Sequence, residues 1–161
     1  MDGISRRDWI LAAACWTEIL RGQDPAYFDR ETANEIEAIA DAIIPADGTP
    51  GARDAQVIRF IEAALAGYDK DNRDLYRTGL AAAQSARASL FPESKSIAGL
   101  SPQQRTKLLQ LIEQTAFFQR VRLHTILGYF GNPKYGFTLL GMENSMHFHP
   151  PFGYYDREAA Q

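Results

Sequence analysis

The chain has 161 residues, of which 45% are hydrophobic and 23% charged, ordinary globular values that exclude disorder of the whole chain and favour one domain with its own core. A formal net charge of −3 and the lack of any Lys/Arg stripe argue against a nucleic-acid-binding surface. Cys15 is the single cysteine, which excludes an intramolecular disulfide and a Cys-based zinc site, and no run approaches the roughly 20 apolar residues that span a bilayer as a helix.

At the N-terminus, Ser5-Arg6-Arg7-Asp8-Trp9 puts paired arginines ahead of a short apolar stretch that ends at Trp16, before Thr17 and Glu18. Arg6 and Arg7 in that position resemble a twin-arginine export signal. The same spacing equally describes an amphipathic helix with a basic start. Ala12-Ala13-Ala14-Cys15 also loosely matches a lipidation box.

Asp29 to Ile44 reads as a helix. Asp29 can accept from the first free backbone N–H groups, Glu31 sits at the positive end of the helix dipole, and Ile36, Ile39, Ala40 and Ile43 line one face. Pro45 disfavours helical geometry at the residue before it, and Asp47-Gly48-Thr49-Pro50-Gly51 predicts a tight polar turn. A second helix is expected over Ala52–Ala66, with Val57, Ile61, Ala64 and Leu65 inward and Gly67 as its stop. A third is expected from Asp71 to Leu90, its inner face Leu75 or Tyr76, Gly79, Leu80, Ala83 and Ala86, small enough for a neighbour to come close. Ser101-Pro102-Gln103-Gln104 is a capping box with proline at the first helical position. It opens a fourth helix expected to run through Leu108, Leu111, Ile112, Phe118 and Val121 to Phe130.

From Asn132 to Gln161 neither helical nor strand periodicity persists. The expected fold is therefore all-α. It comprises a signal-like segment at residues 1–22, a small antiparallel bundle of about four main helices over residues 23–131, and a long aromatic, proline-rich arm over residues 132–161. Aromatics and methionine are enriched at the cores of protein interfaces, so Tyr135, Phe148, Phe152, Tyr154 and Tyr155 of the arm are the candidate partner-binding residues. The alternative is that the arm folds back to pad the bundle.

Catalytic patterns are missing: no serine lies in a Gly-x-Ser-x-Gly elbow, and no phosphate-cradling or dinucleotide loop occurs. His147 and His149 fall on the same side of an extended segment and with His124 could make a metal site, the basis of an alternative reading as a stand-alone metal-dependent enzyme. A self-associating helical protein is the third reading. Glu37 and Asp41, one turn apart with Asp47 near, are expected to form a solvated polar surface rather than a carboxylate pair for acid/base work.

Four stretches in order carry a family resemblance: Ser5-Arg6-Arg7-Asp8-Trp9; Ile36 to Pro45 with Asp47, Thr49 and Pro50-Gly51-Ala52; Leu100-Ser101-Pro102-Gln103-Gln104; and Phe130-Gly131-Asn132-Pro133-Lys134-Tyr135-Gly136. Together they resemble the gluconate 2-dehydrogenase subunit 3 family. The ending Pro150-Pro151-Phe152-Gly153-Tyr154-Tyr155-Asp156 resembles the branch that accompanies glucoside 3-dehydrogenases. Family members often follow the Tyr-Gly pair with a Gly-Gly-Asn turn, whereas Phe137-Thr138 follows Gly136 here. The resemblance implies a small subunit that binds no cofactor itself. Its partner would be a large FAD-containing catalytic subunit of the glucose–methanol–choline type, which oxidises a sugar or glycoside and passes electrons to a cytochrome c or quinone. It further implies that Arg6 and Arg7 engage the twin-arginine machinery and that the folded complex is periplasmic.

Overall fold

A computed structural model describes residues 4–22 and 27–132. The described residues form six α-helices: α1 (Arg6–Leu20), α2 (Arg30–Ile43), α3 (Val57–Ala66), α4 (Arg73–Leu90), α5 (Pro102–Ile112) and α6 (Ala116–Phe130), with a single 3-10 turn at Lys70–Asn72. The all-α expectation holds, while the helix count and two boundaries differ from the sequence reading.

The expected fourth helix is two. Thr115 ends one and starts the next: its hydroxyl donates to the Ile112 carbonyl at 2.7 Å and accepts from the Phe118 N–H at 3.2 Å. One side chain thus satisfies an orphan carbonyl of α5 and an orphan N–H of α6. The break also changes the phase of α5, which buries Leu108, Leu109 and Ile112 and leaves Leu111, expected to face inward, 61% exposed. The helix expected from Ala52 begins only at Val57. Residues 52–56 wind instead through turns, Gly51 N–H donating to Asp54 at 2.8 Å and Gln56 taking a left-handed φ of 52°. Gly51 is required there, because a Cβ would lie 2.7 Å from the Ala46 backbone nitrogen.

Where local signals were strong they hold. Asp29 caps α2 by accepting from Thr32 N–H at 2.8 Å, and Ser101 and Gln104 form the expected reciprocal capping box. Gly79 on α4 lets α6 come close, since a Cβ would fall 2.3 Å from the Cβ of Phe117.

α6 is the axis of the fold, packing against α1, α2, α3 and α4. That position explains why it lacks a polar stripe: Phe117, Phe118, Val121, His124, Thr125, Leu127, Gly128 and Tyr129 are all buried, and a helix covered on most sides has no wet face to pattern. The main core gathers Ile36, Ile39, Val57, Ile61, Leu65, Tyr76, Ile97, Leu108 and Val121. A second, smaller core forms where α1 lies on α3 and α6, from Ala12, Cys15, Trp16, Ile19, Phe60, Ala63, Ala64 and Leu127. Burying a large apolar side chain is worth about 1.5–3 kcal/mol, so Trp16 and Ile19 alone anchor α1 firmly.

Two buried carboxylates tie loops to this frame. Glu35 Oε2 accepts from Ile97 N–H and from the Gln84 amide, both at 2.7 Å, pinning the segment between α4 and α5. Glu62 accepts from the N–H groups of Tyr27 and Phe28, both at 3.0 Å, and so positions the entry to α2.

Candidate functional site

Ser5 is the N-cap of α1. Its hydroxyl accepts from Asp8 N–H at 3.3 Å while its own N–H donates to Asp8 Oδ2 at 2.8 Å. The hydrogen bonds from Ser5 hold the Asp8 carboxyl below the usual range. Arg6 and Arg7 therefore occupy the first helical turn, exposed, on a helix whose start is fixed by its own capping box. The apolar stretch behind them is divided by face. Ala12, Cys15, Trp16 and Ile19 are buried, while Trp9, Ile10 and Leu20 are 39%, 70% and 70% exposed.

The buried face is keyed to two glycines. Trp16 Nε1–H donates to the Gly128 carbonyl at 3.0 Å, and Gly128 admits the Phe60 ring, whose Cδ1 would lie 2.9 Å from a Cβ there. A Cβ on Gly131 would touch Ala12 and Trp16 at 3.4 and 3.6 Å. Cys15 is 5% exposed in this packing, and burial, with Glu18 adding, pushes its thiol up to about 11. Such a thiol is protonated and enclosed, so the lipidation-box reading would require α1 to undock.

A polar network crosses the interior below α1. His124, from α6, is fully buried between Tyr76 of α4 and Asp69 of the α3–α4 connection. Tyr76 Oη lies 2.8 Å from His124 Nδ1, and Nε2 faces Asp69 Oδ2 at 3.1 Å, off the line of an ideal hydrogen bond. Asp69 Oδ1 accepts from the Asn72 amide at 2.8 Å and meets the Arg120 guanidinium at 3.5 Å. Burial lowers the His124 pKa, with Asp69 opposing, so the imidazole is neutral, Nδ1 accepting from Tyr76 and Nε2–H turned to the carboxylate. Burial works to raise the Asp69 carboxyl, but its His124, Asn72 and Arg120 contacts outweigh that and hold it low. Burial drives the Tyr76 phenol well above its usual value.

The one described member of the histidine set, His124, lies inside the core, with Nδ1 against the Tyr76 hydroxyl and Nε2 facing Asp69, and among the described residues no cluster of three or more His, Cys, Asp or Glu could hold a metal ion. His147 and His149 lie outside the described residues, as do the partner-binding candidates Tyr135, Phe148, Phe152, Tyr154 and Tyr155. Glu37 and Asp41 do not act together: Glu37 meets Arg53 at 3.5 Å and Asp41 meets Arg105 at 3.9 Å. Sequence reasoning missed the Asp69–His124–Tyr76 chain. The available signal was helical phase, since Val121, His124, Thr125 and Gly128 share one face of α6.

A shallow groove of about 500 Å³ lies between the end of α2, α5 and α6. Its floor is Ala42, Ile43, Leu109 and Phe118, and its rim includes Gln110, Glu113, Gln119 and Arg122. It is open to solvent and brings no nucleophile, base and acid together.

Pro50 and Asn132, each in a stretch that carried the resemblance, are held by residues flanking the other stretch. The Tyr129 hydroxyl donates to the Pro50 carbonyl, and Asn132 Nδ2 donates to the Ala55 carbonyl at 2.9 Å, closing the 44–56 loop onto the end of α6. The family model described as gluconate 2-dehydrogenase subunit 3 matches residues 30–150. The chain belongs to that family. As a gluconate 2-dehydrogenase subunit 3 family member it is a subunit of a dehydrogenase complex, and the match covers α2 to α6 and much of the aromatic arm. Neither the curated proteins nor the solved structures compared with the chain give a match. No helix among the described residues is long and apolar enough to cross a membrane.

Proposed function

We propose that this chain is the non-catalytic accessory subunit of an FAD-dependent, glucose–methanol–choline-type sugar or glycoside dehydrogenase, and that it stabilises the flavoprotein and assists its twin-arginine export to the periplasm. The observation that carries the reading is the family match over residues 30–150, most of the folded body. The polar side chains fit it. Asp69, His124 and Tyr76 are consumed in holding α3, α4 and α6 together, and Glu35 and Glu62 in holding loops. FAD binding and substrate oxidation then belong to the large subunit, with a cytochrome c as a candidate electron acceptor.

The export half rests on Arg6 and Arg7, exposed at the start of α1. Fractionation of cells producing the chain with its flavoprotein tests it. Arg6→Lys with Arg7→Lys should leave dehydrogenase activity in the cytoplasm, and undiminished periplasmic activity would remove export from the account. Co-purification of the flavoprotein with the chain tests the other half.

A further inference from the structure

Half of the large apolar side chains exposed among the described residues, Trp9, Ile10 and Leu20 out of six, sit on α1. Projected at 100° per residue, Ile10, Ala13, Ala14 and Thr17 run down the face opposite Ala12, Cys15 and Ile19, with Trp9 and Leu20 along one flank. Thr17 spends its hydroxyl proton on the Ala13 carbonyl at 2.9 Å, which removes the one polar donor from the middle of the stripe. α1 is therefore apolar on both sides. A helix with that character is normally buried all round, yet the described residues cover only one side of it.

Charge distinguishes the missing cover. Arg6 and Arg7 at one end and Arg21 at the other are exposed and in no salt bridge with another described residue, and among the described residues of α1 the carboxylates are Glu18 beside the stripe and Asp8 next to Arg7. A basic–apolar–basic strip about 22 Å long complements an apolar surface flanked by carboxylates. We propose that the outward face of α1 is the anchor by which this subunit docks on its catalytic dehydrogenase subunit, at an apolar patch rimmed with acidic side chains. This rests on the accessory-subunit reading. The anchor is the centre of the contact and not its whole extent, because stable interfaces bury about 800 Å² per partner. The inner face of α1 binds its own body while the outer face binds the partner, so the segment behind the paired arginines is a working part of the assembled complex.

The test uses purified full-length chain and flavoprotein, both made in the cytoplasm so that export does not enter. Ile10→Glu combined with Leu20→Glu keeps good helix formers at two exposed positions. The expected result is at least tenfold weaker binding to the flavoprotein, with unchanged helical circular dichroism and thermal midpoint of the free chain. Arg6→Glu with Arg7→Glu should weaken binding and flatten its salt dependence. Wild-type affinity in both double variants overturns the proposal. So does a lower thermal midpoint in the free Ile10/Leu20 variant, which would show that the chain's own residues cover the stripe. Breaking of a wild-type homodimer, or loss of binding to anionic phospholipid vesicles with flavoprotein binding intact, also overturns it. If the wild-type chain does not bind the flavoprotein at all, the accessory-subunit reading fails together with this one.

Discussion

Trp16 donates its indole N–H to the carbonyl of Gly128 at 3.0 Å, across 112 positions of sequence. The bond joins the helix behind the paired arginines to the helix at the centre of the fold, and it lies inside the small core that α1 completes.

Trp16→Phe should cost about 1 kcal/mol, the net worth of a hydrogen bond, while Trp16→Ala adds a cavity and should cost about 3–5 kcal/mol. At about 2–4 °C per kcal/mol for a chain of this size, thermal unfolding separates the two. Equal, negligible shifts would show that α1 is not docked in solution.

Gly79→Ala sets two effects against each other. In a helix interior alanine is favoured over glycine by about 1 kcal/mol. Against that, the added Cβ would meet Phe117 at 2.3 Å, close to the backbone where the ring cannot swing away. Overpacking costs of about 1–3 kcal/mol should win, giving a lower denaturant midpoint. A higher midpoint would mean that α4 and α6 are not in close contact.

Acid should destabilise the fold through His124. Its folded-state pKa is depressed by burial, so as pH falls through about 6.5 the unfolded chain takes up a proton that the folded chain refuses. Stability should therefore fall by up to about 1.4 kcal/mol per pH unit below that value, until the folded pKa is reached. Its titratable partners Asp69 and Tyr76 do not change state in that window; the Asp69 carboxyl is held low and matters only in stronger acid, and the Tyr76 phenol is pushed up. His124→Gln should lower stability at pH 7 and flatten the profile below about pH 6.5. A slope unchanged by the substitution would assign the acid sensitivity elsewhere.

Glu35→Ala should free the loop between α4 and α5, because Ile97 N–H and the Gln84 amide both lose their acceptor. A buried donor left unpaired costs about 1–3 kcal/mol. Faster amide exchange at Ile97 with little change at Leu108 is the expected pattern, and equal acceleration at both would point to global rather than local loosening.

The sequence exposed what local chemistry decides. Asp29, the Ser101–Gln104 box and the spacing of Ile36, Ile39 and Ala40 each act within a few residues, and each appears as read. The Thr115 break was hidden because a threonine cap without an acidic or amide residue three positions on, here Phe118, resembles helix interior. α6 gave a weak pattern because it is buried on most sides. The Asp69–His124–Tyr76 chain pairs residues about fifty positions apart, and no spacing rule connects them. The paired arginines were legible as residues, but whether the apolar stretch behind them lies free or docked depends on Phe60, Leu127 and Gly128, far along the chain.

The most direct test of the central claim is size-exclusion chromatography of this chain co-expressed with a glucose–methanol–choline-type flavoprotein from the same organism, monitored by flavin absorbance. The account predicts that the chain co-elutes with the yellow, sugar-oxidising subunit in fixed stoichiometry, and that the flavoprotein produced without it is unstable. Separate elution of the chain, beside a flavoprotein that is stable and active alone, would contradict it.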